Sequence, residues 1–138
     1  MLPASPPAHV LQFSGGHAYG PNGRFGAWTV TVDAAGMLSI RGQVLGQRTE
    51  PSPVALSPAE RQSLADILDG LSSVPSQRSA RPGIPDEAML DIAVATPAGP
   101  RTLVLWHGEA RALAPVAALL GWLDAALRAH AGHTAAFR

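Results

Sequence analysis

The side chains most able to do chemistry lie in one glycine-rich stretch, residues 13–28, which reads FSGGHAYGPNGRFGAW. A phosphate-binding loop would need a helix directly after the glycines, so that backbone amides and the helix dipole meet the anion. An alternating strand pattern follows instead, and the spacing does not match G-x-G-x-x-G. We therefore interpret residues 13–26 as a loop between two strands. Four of its side chains are candidate binding residues: His17, Tyr19, Arg24 and Phe25.

A second candidate binding segment is the loop 72–87, SSVPSQRSARPGIPDE. Its prolines and its glycine predict no regular secondary structure, and loops of this length are commonly functional or disordered. The loop carries Arg78 and Arg81 as candidate binding residues. A proline-stiffened segment loses little entropy when it enters a partner's groove. A disordered linker is the alternative interpretation.

Two further pairs of titratable residues are weaker candidates for a functional site. His130 and His133 have the spacing of a ligand pair, but no third ligand is near in sequence, so we expect a solvated tail. His107 and Glu109 lie within 106–111, where we expect a loop at the end of a strand. Because no nucleophile motif accompanies these residues, an enzyme is disfavoured, and we assign no catalytic residue, metal site or cofactor.

Composition limits the classes of partner. The chain has 138 residues, ten basic and ten acidic, and a net charge of zero, which argues against nucleic-acid binding. Neutrality also removes the long-range repulsion that opposes self-association. Cysteine is absent, which excludes thiolate chemistry. No apolar run approaches the roughly 20 residues of a membrane span, and residues 1–8 do not resemble a signal peptide, so we expect a cytoplasmic protein without a membrane partner.

The hydrophobic pattern predicts strands and helices in alternation. Period-two alternation marks five strands, at 9–13, 27–33, 37–45, 89–96 and 101–107. Ser57, Pro58 and Glu60 form a capping-box signature, which predicts a helix over 58–71. A second amphipathic pattern predicts a helix over 114–130.

These elements predict the α+β class, with an antiparallel sheet of four to five strands and two helices packed on one face. We expect one domain over 9–130, a loose segment over 1–8 and a flexible tail over 131–138. The predicted core comprises the apolar residues that face the helices: Trp28, Val30, Ile40, Leu64, Leu68, Ile92, Leu103, Leu120 and Leu123.

The hairpin 89–107 predicts an interface. Its outer face carries Met89, Val104 and Trp106, which is more apolar than a solvated sheet face should be. We therefore predict a homodimer through this face, with Trp106 as a binding residue. The alternative is that the N-terminal segment or the loop 72–87 covers Trp106.

The order of these elements resembles the emfourin family. The likeness rests on FSGG before a strand, a capped helix that opens with LSPAE, a proline-rich loop that ends in PDE, a hairpin and a closing helix. Emfourins are small protein inhibitors of thermolysin-like metallopeptidases; the resemblance implies a small binding protein of this architecture, with a protease-inhibitor-like module as one form of it, and no inhibitory residue is carried over. The two candidate binding loops and the lack of a nucleophile motif lead us to expect non-enzymatic protein binding through the loops 13–26 and 72–87, to a partner protein or to a second copy of the chain, and the resemblance agrees with this expectation. A small enzyme or ligand-binding protein with a pocket near the glycine-rich loop is the alternative.

Overall fold

The computed structural model describes residues 9–17, 23–84, 87–135 and 137. Tyr19 and the segment 1–8 lie outside the described residues, so the predictions for them stay open.

Within the described residues, eight strands form one sheet in the order β4-β3-β2-β1-β7-β8-β6, and β5 pairs with β3. The bounds are β1 His9–His17, β2 Gly26–Asp33, β3 Met37–Val44, β4 Gln47–Thr49, β5 Val54–Ala55, β6 Gln77–Arg78, β7 Met89–Thr96 and β8 Gly99–Trp106. The α+β class is confirmed. The predicted size of four to five strands is wrong, and the sheet is mixed because β6 runs parallel to β8.

The three additional strands have only two or three residues each, so they carry no periodicity that a sequence could show. They form because the edges of a sheet present unpaired N–H and C=O groups. At the β8 edge, Gln77 pairs with Leu103, and Ser79 N–H donates to the Val104 carbonyl at 2.8 Å. The prediction that 72–87 lacks regular structure is therefore wrong at β6.

Two predicted helices are confirmed. Helix α1, Pro58–Leu71, begins with both capping-box bonds: Glu60 N–H donates to Ser57 Oγ at 3.1 Å, and Ser57 N–H donates to Glu60 Oε1 at 2.9 Å. The C-terminal helix covers Ala114–Ala131 and ends at Gly132, which has a φ of 69°.

The loop predicted at 106–111 is wrong, because a short helix covers His107–Ala112. The Glu109 carboxylate accepts a hydrogen bond from Trp106 N–H at 3.0 Å, which satisfies a donor at the helix start. We number this helix α2 and the helix Ala114–Ala131 α3.

The core lies between the sheet and the helices. All nine predicted core residues are buried, which confirms the predicted apolar face. Trp28 fits on this face because Gly42, on the neighbouring strand, lies directly against its ring. A Cβ at Gly42 would be 2.4 Å from Trp28 Cε3.

Among the described residues after α3, Ala135 and Phe137 are buried against the domain, whereas the sequence predicts a flexible tail over 131–138. Phe137 is buried, and its ring centroid lies 4.8 Å from that of Phe13 in β1. Its N–H donates to Asp124 Oδ1 at 3.1 Å, and its carbonyl contacts His107 Nε2. His133 and His130 are half-buried rather than part of a solvated tail: the His133 ring lies 5.4 Å from the Trp28 ring, and His130 Nε2 contacts Glu60 Oε2. Burial of apolar side chains provides the driving force for this packing.

Candidate protein-binding surface

One end of the sheet gathers most of the candidate binding residues. Strands β1, β3, β6 and β8 end there, while β2, β4 and β7 begin there, because neighbouring strands are antiparallel except at β6. We call this the loop end. It comprises the described parts of three connections, residues 23–25, 45–46 and 79–88, with the adjoining strand termini. Every predicted site residue in the described part of the chain lies here: His17, Arg24, Phe25, Arg78, Arg81 and Trp106.

The glycine-rich stretch is more regular than predicted. Strand β1 continues to His17, which pairs with Gly26 of β2, so residues 14–17 belong to a hairpin and not to a loop. Gly23, in the connection between β1 and β2, contacts the β3–β4 turn, because its carbonyl accepts a hydrogen bond from Leu45 N–H at 3.0 Å. Arg24 lies over the Phe25 ring at 4.7 Å, a cation–π contact.

Residues 79–84, which we call the strap, cover Trp106. The indole Nε1–H donates to the Arg81 carbonyl at 2.8 Å. Gly83 lies directly on the ring, since a Cβ there would be 2.3 Å from Trp106 Cη2. This contact matches the alternative in which the loop 72–87 covers Trp106, and it reduces the apolar patch on which the homodimer prediction depends.

Ion pairs hold the strap in place. The Arg81 guanidinium lies 2.6 Å from Glu87 Oε1 and 3.9 Å from Glu109 Oε2. Hydrogen bonds from Ser79 and from the Trp106 backbone N–H hold the pKa of Glu109 below its ordinary value of 4.5. Glu87 N–H also donates to the Ile84 carbonyl at 3.2 Å. Arg81 therefore serves the chain's own loop, and it is less available to a partner than the sequence suggested.

The β3–β4 turn contains the one described non-glycine residue with a positive φ, Leu45, at 51°. Gly46 follows at 80°, so both central residues of this two-residue hairpin turn are left-handed, as in a type I′ turn. Asparagine or aspartate normally occupies the first position, because a leucine there is strained. The Leu45 side chain is nevertheless 65% exposed.

Exposed large apolar residues concentrate at the same end. Ile84 is 58% exposed and Met89 is 37% exposed, so with Leu45 they account for three of the four large apolar residues described as exposed. The fourth, Met37, is 39% exposed and lies at the opposite end, where β3 begins. Sequence reasoning missed Leu45 and Ile84, although an apolar residue before a glycine in a two-residue turn is an available signal.

Beside the loop end, the outer face of the sheet, opposite the helices, has an open concavity of about 570 Å³. Its floor is low because the paired residues there are small: Gly16 pairs with Ala27, and Ser14 pairs with Thr29. We call this concavity the outer groove.

The walls of the outer groove differ in charge. Arg41 and Arg48 line it on the side of β3 and β4, whereas Met89 and Asp91 line it on the side of β7. Arg41 and Asp91 belong to one row across four strands, about 14 Å apart at ~4.8 Å a strand. Within the described residues, neither forms a salt bridge, and Arg48 makes one exposed pair with Glu50 at 3.8 Å. An exposed pair at this distance contributes little stability, so Arg48 can exchange Glu50 for another carboxylate, and with Glu50 counted this wall carries a net charge of +1.

No group of three or more His, Asp or Glu residues suited to a metal ion occurs among the described residues. None of the helices in this part of the chain is long and apolar enough to cross a membrane. Comparison of the chain with known protein families, with curated proteins and with solved structures found no match.

Proposed function

We propose that this chain is a small, non-enzymatic protein-binding domain that acts through its loop end, where the ends of the predicted binding loops 13–26 and 72–87 meet the β3–β4 turn. The observation that supports this most is Leu45. The hairpin turn needs a left-handed residue at this position, but leucine is strained there and its side chain is exposed to water, so the choice of leucine does not benefit the fold. Strained residues that persist in a structure commonly belong to functional sites.

The neighbouring residues extend this argument. Ile84 projects from a strap that Arg81 and Trp106 already hold, so little ordering remains to be done when a partner binds. An exposed aliphatic side chain on a preordered surface gains hydrophobic free energy when a partner buries it, at little further cost in entropy. A protease-inhibitor-like role follows from the resemblance to emfourin, and it makes a thermolysin-like metallopeptidase the first partner to test.

The test compares three forms of the protein. The wild type, the double variant Leu45→Asp/Ile84→Asp and the control Met37→Asp are immobilised, and partner capture from a cell extract is measured. The control places the same charge on an exposed apolar residue at the opposite end of the sheet. We expect the control to capture the wild-type partner and the double variant to lose it. Equal capture by all three forms would contradict the proposal.

The peptidase version has its own assay. Hydrolysis of a peptide substrate by thermolysin is followed as the protein is added, and inhibition by the wild type but not by the double variant would support it. An undiminished rate at a large excess of protein would reject this peptidase as the partner.

A small-ligand-binding protein is the second candidate, favoured by the position of the outer groove beside the glycine-rich hairpin. A fragment screen by NMR tests it: shifts confined to Gly16, Ala27 and Arg41 by a compound of low molecular mass would favour this candidate.

A further inference from the structure

We propose that the outer groove binds an extended acidic segment of a partner protein, with carboxylates over Arg41 and Arg48. This inference rests on the proposed function, because it names the chemistry that the partner presents beside the loop end. Its occupant is an acidic peptide segment, as opposed to a nucleic acid or a free metabolite.

The first support is the shape of the site. Gly16 and Ala27 form the floor where the hairpin β1–β2 meets the loop end, while longer side chains rise from β3 and β7 on either side. A chain in an extended conformation could lie on such a floor without displacing any side chain of the sheet. The concavity is open to solvent and is lined by Met89 at the start of β7, so a partner bound at the loop end can extend a segment into it.

The second support is the distribution of charge. Arg41 pairs across the sheet with Thr29, and the nearest acid in its row is Asp91, three strands away. Arg48 lies on β4 opposite Gln43, which neighbours Arg41 by two positions on the same face. Arginine binds carboxylates through two parallel hydrogen bonds, which suits this wall to Asp or Glu side chains.

The wall of the outer groove on the side of β7 determines the direction in which the segment binds. Asp91 repels a carboxylate, while Met89 offers an apolar contact at the same side. We therefore expect the acidic end of the segment to lie above β3 and β4, and its neutral or basic end to lie above β7. A purely anionic polymer such as single-stranded nucleic acid would place a phosphate near Asp91 when it crosses the groove. The repulsion between these two negative charges disfavours such a ligand here.

The experiment titrates the isotope-labelled full chain with the blocked peptide acetyl-Gly-Glu-Glu-Glu-Gly-amide and follows backbone amides by NMR. Its Gln-for-Glu twin and its Lys-for-Glu twin are the peptide controls. We expect the Glu peptide alone to shift amides at 14–16, 27–29 and 41–48, with a Kd on the order of 1 mM or tighter. High salt should weaken this binding.

The variant Arg41→Gln/Arg48→Gln should bind the Glu peptide at least about tenfold more weakly than the wild type. The matched control Arg111→Gln/Arg128→Gln removes two exposed arginines from the helices and should leave binding unchanged. Absence of shifts at millimolar peptide, equal binding of the Gln twin, or equal loss in both double variants would overturn the inference. A partner whose capture depends on Leu45 and Ile84 but not on Arg41 and Arg48 would overturn it while the proposed function stands.

Discussion

At the scale of single residues, Leu45 carries two costs, a left-handed backbone and a side chain exposed to water. We predict that Leu45→Asn stabilises the fold by up to about 1 kcal/mol, because asparagine tolerates the left-handed region far better than leucine. The same change should weaken partner capture, since the apolar side chain is gone. Urea unfolding and capture are measured on the same preparation. A variant that is less stable, or one that captures as well as the wild type, would contradict the role given to Leu45.

Gly42 tests the packing around Trp28. We predict that Gly42→Ala destabilises the protein by about 1–3 kcal/mol, because the added Cβ would overlap the indole ring. Gly121→Ala in α3 is the control of opposite sign. Nothing lies within 4 Å of its added Cβ, so alanine should stabilise the helix by roughly 0.5–1 kcal/mol. The free energy of unfolding of both variants is measured by urea denaturation. A change of the same sign in both would contradict this description of the core.

At the scale of elements, the start of α1 is tied to the end of α3. His130 Nε2 lies 2.6 Å from Glu60 Oε2, while the other Glu60 oxygen accepts from Ser57 N–H. The Ser57 backbone hydrogen bond, helped by His130, holds the pKa of Glu60 below its ordinary value of 4.5 despite partial burial.

Because the folded-state pKa is the lower one, the contribution of ionised Glu60 is fully present above about pH 4.5 and is lost as the pH falls through the folded-state pKa. We predict that the difference in unfolding free energy between the wild type and Glu60→Gln is larger at neutral pH than in this acid range. Denaturant titrations across the range check it. A difference that stays constant from neutral pH into the acid range would contradict the linkage.

The elements that the sequence predicts well are those with a repeated pattern. Helix α1 is predicted to its exact bounds, because Ser57 and Glu60 mark its start and apolar spacing marks its buried face. Helix α2 has a local hydrogen bond at its start, from Trp106 N–H to Glu109, but its six residues are too few to show a helical period. Strand β6 escapes prediction because it forms by joining the edge of β8, which is distant in sequence. Phe137 is buried for the same reason, since its contacts with Phe13 and Asp124 carry no local signature.

In the candidate site too, local patterns can be predicted from the sequence and contacts between distant residues cannot. The sequence identifies the loops that meet at the loop end, but not that strand order places them together. Arg41 and Asp91 look like ordinary outward residues of separate strands until the register aligns them in one row. Whether an exposed residue such as Leu45 is strained depends on its φ, which composition does not reveal.

At the scale of the whole molecule, self-association through the outer face of the hairpin 89–107 stays a prediction. Since the strap covers Trp106, Met89 is the better residue to change: it lies on that face and is 37% exposed. We predict a dimer at about 100 μM, which corresponds to binding of roughly −5 to −6 kcal/mol. Met89→Glu should dissociate it. Sedimentation velocity of a wild type that stays monomeric would contradict the prediction.

If one end of the sheet binds a protein partner, the partner should slow hydrogen–deuterium exchange there, which is measured on the chain with and without the partner. On binding, we predict slower exchange at residues 23–28, 41–48 and 79–89, which form the loop end and its margin. Residues 33–37 and 96–100 at the opposite end should exchange at unchanged rates. Protection centred on 33–37 and 96–100, with the loop end unaffected, would show that a different surface binds the partner.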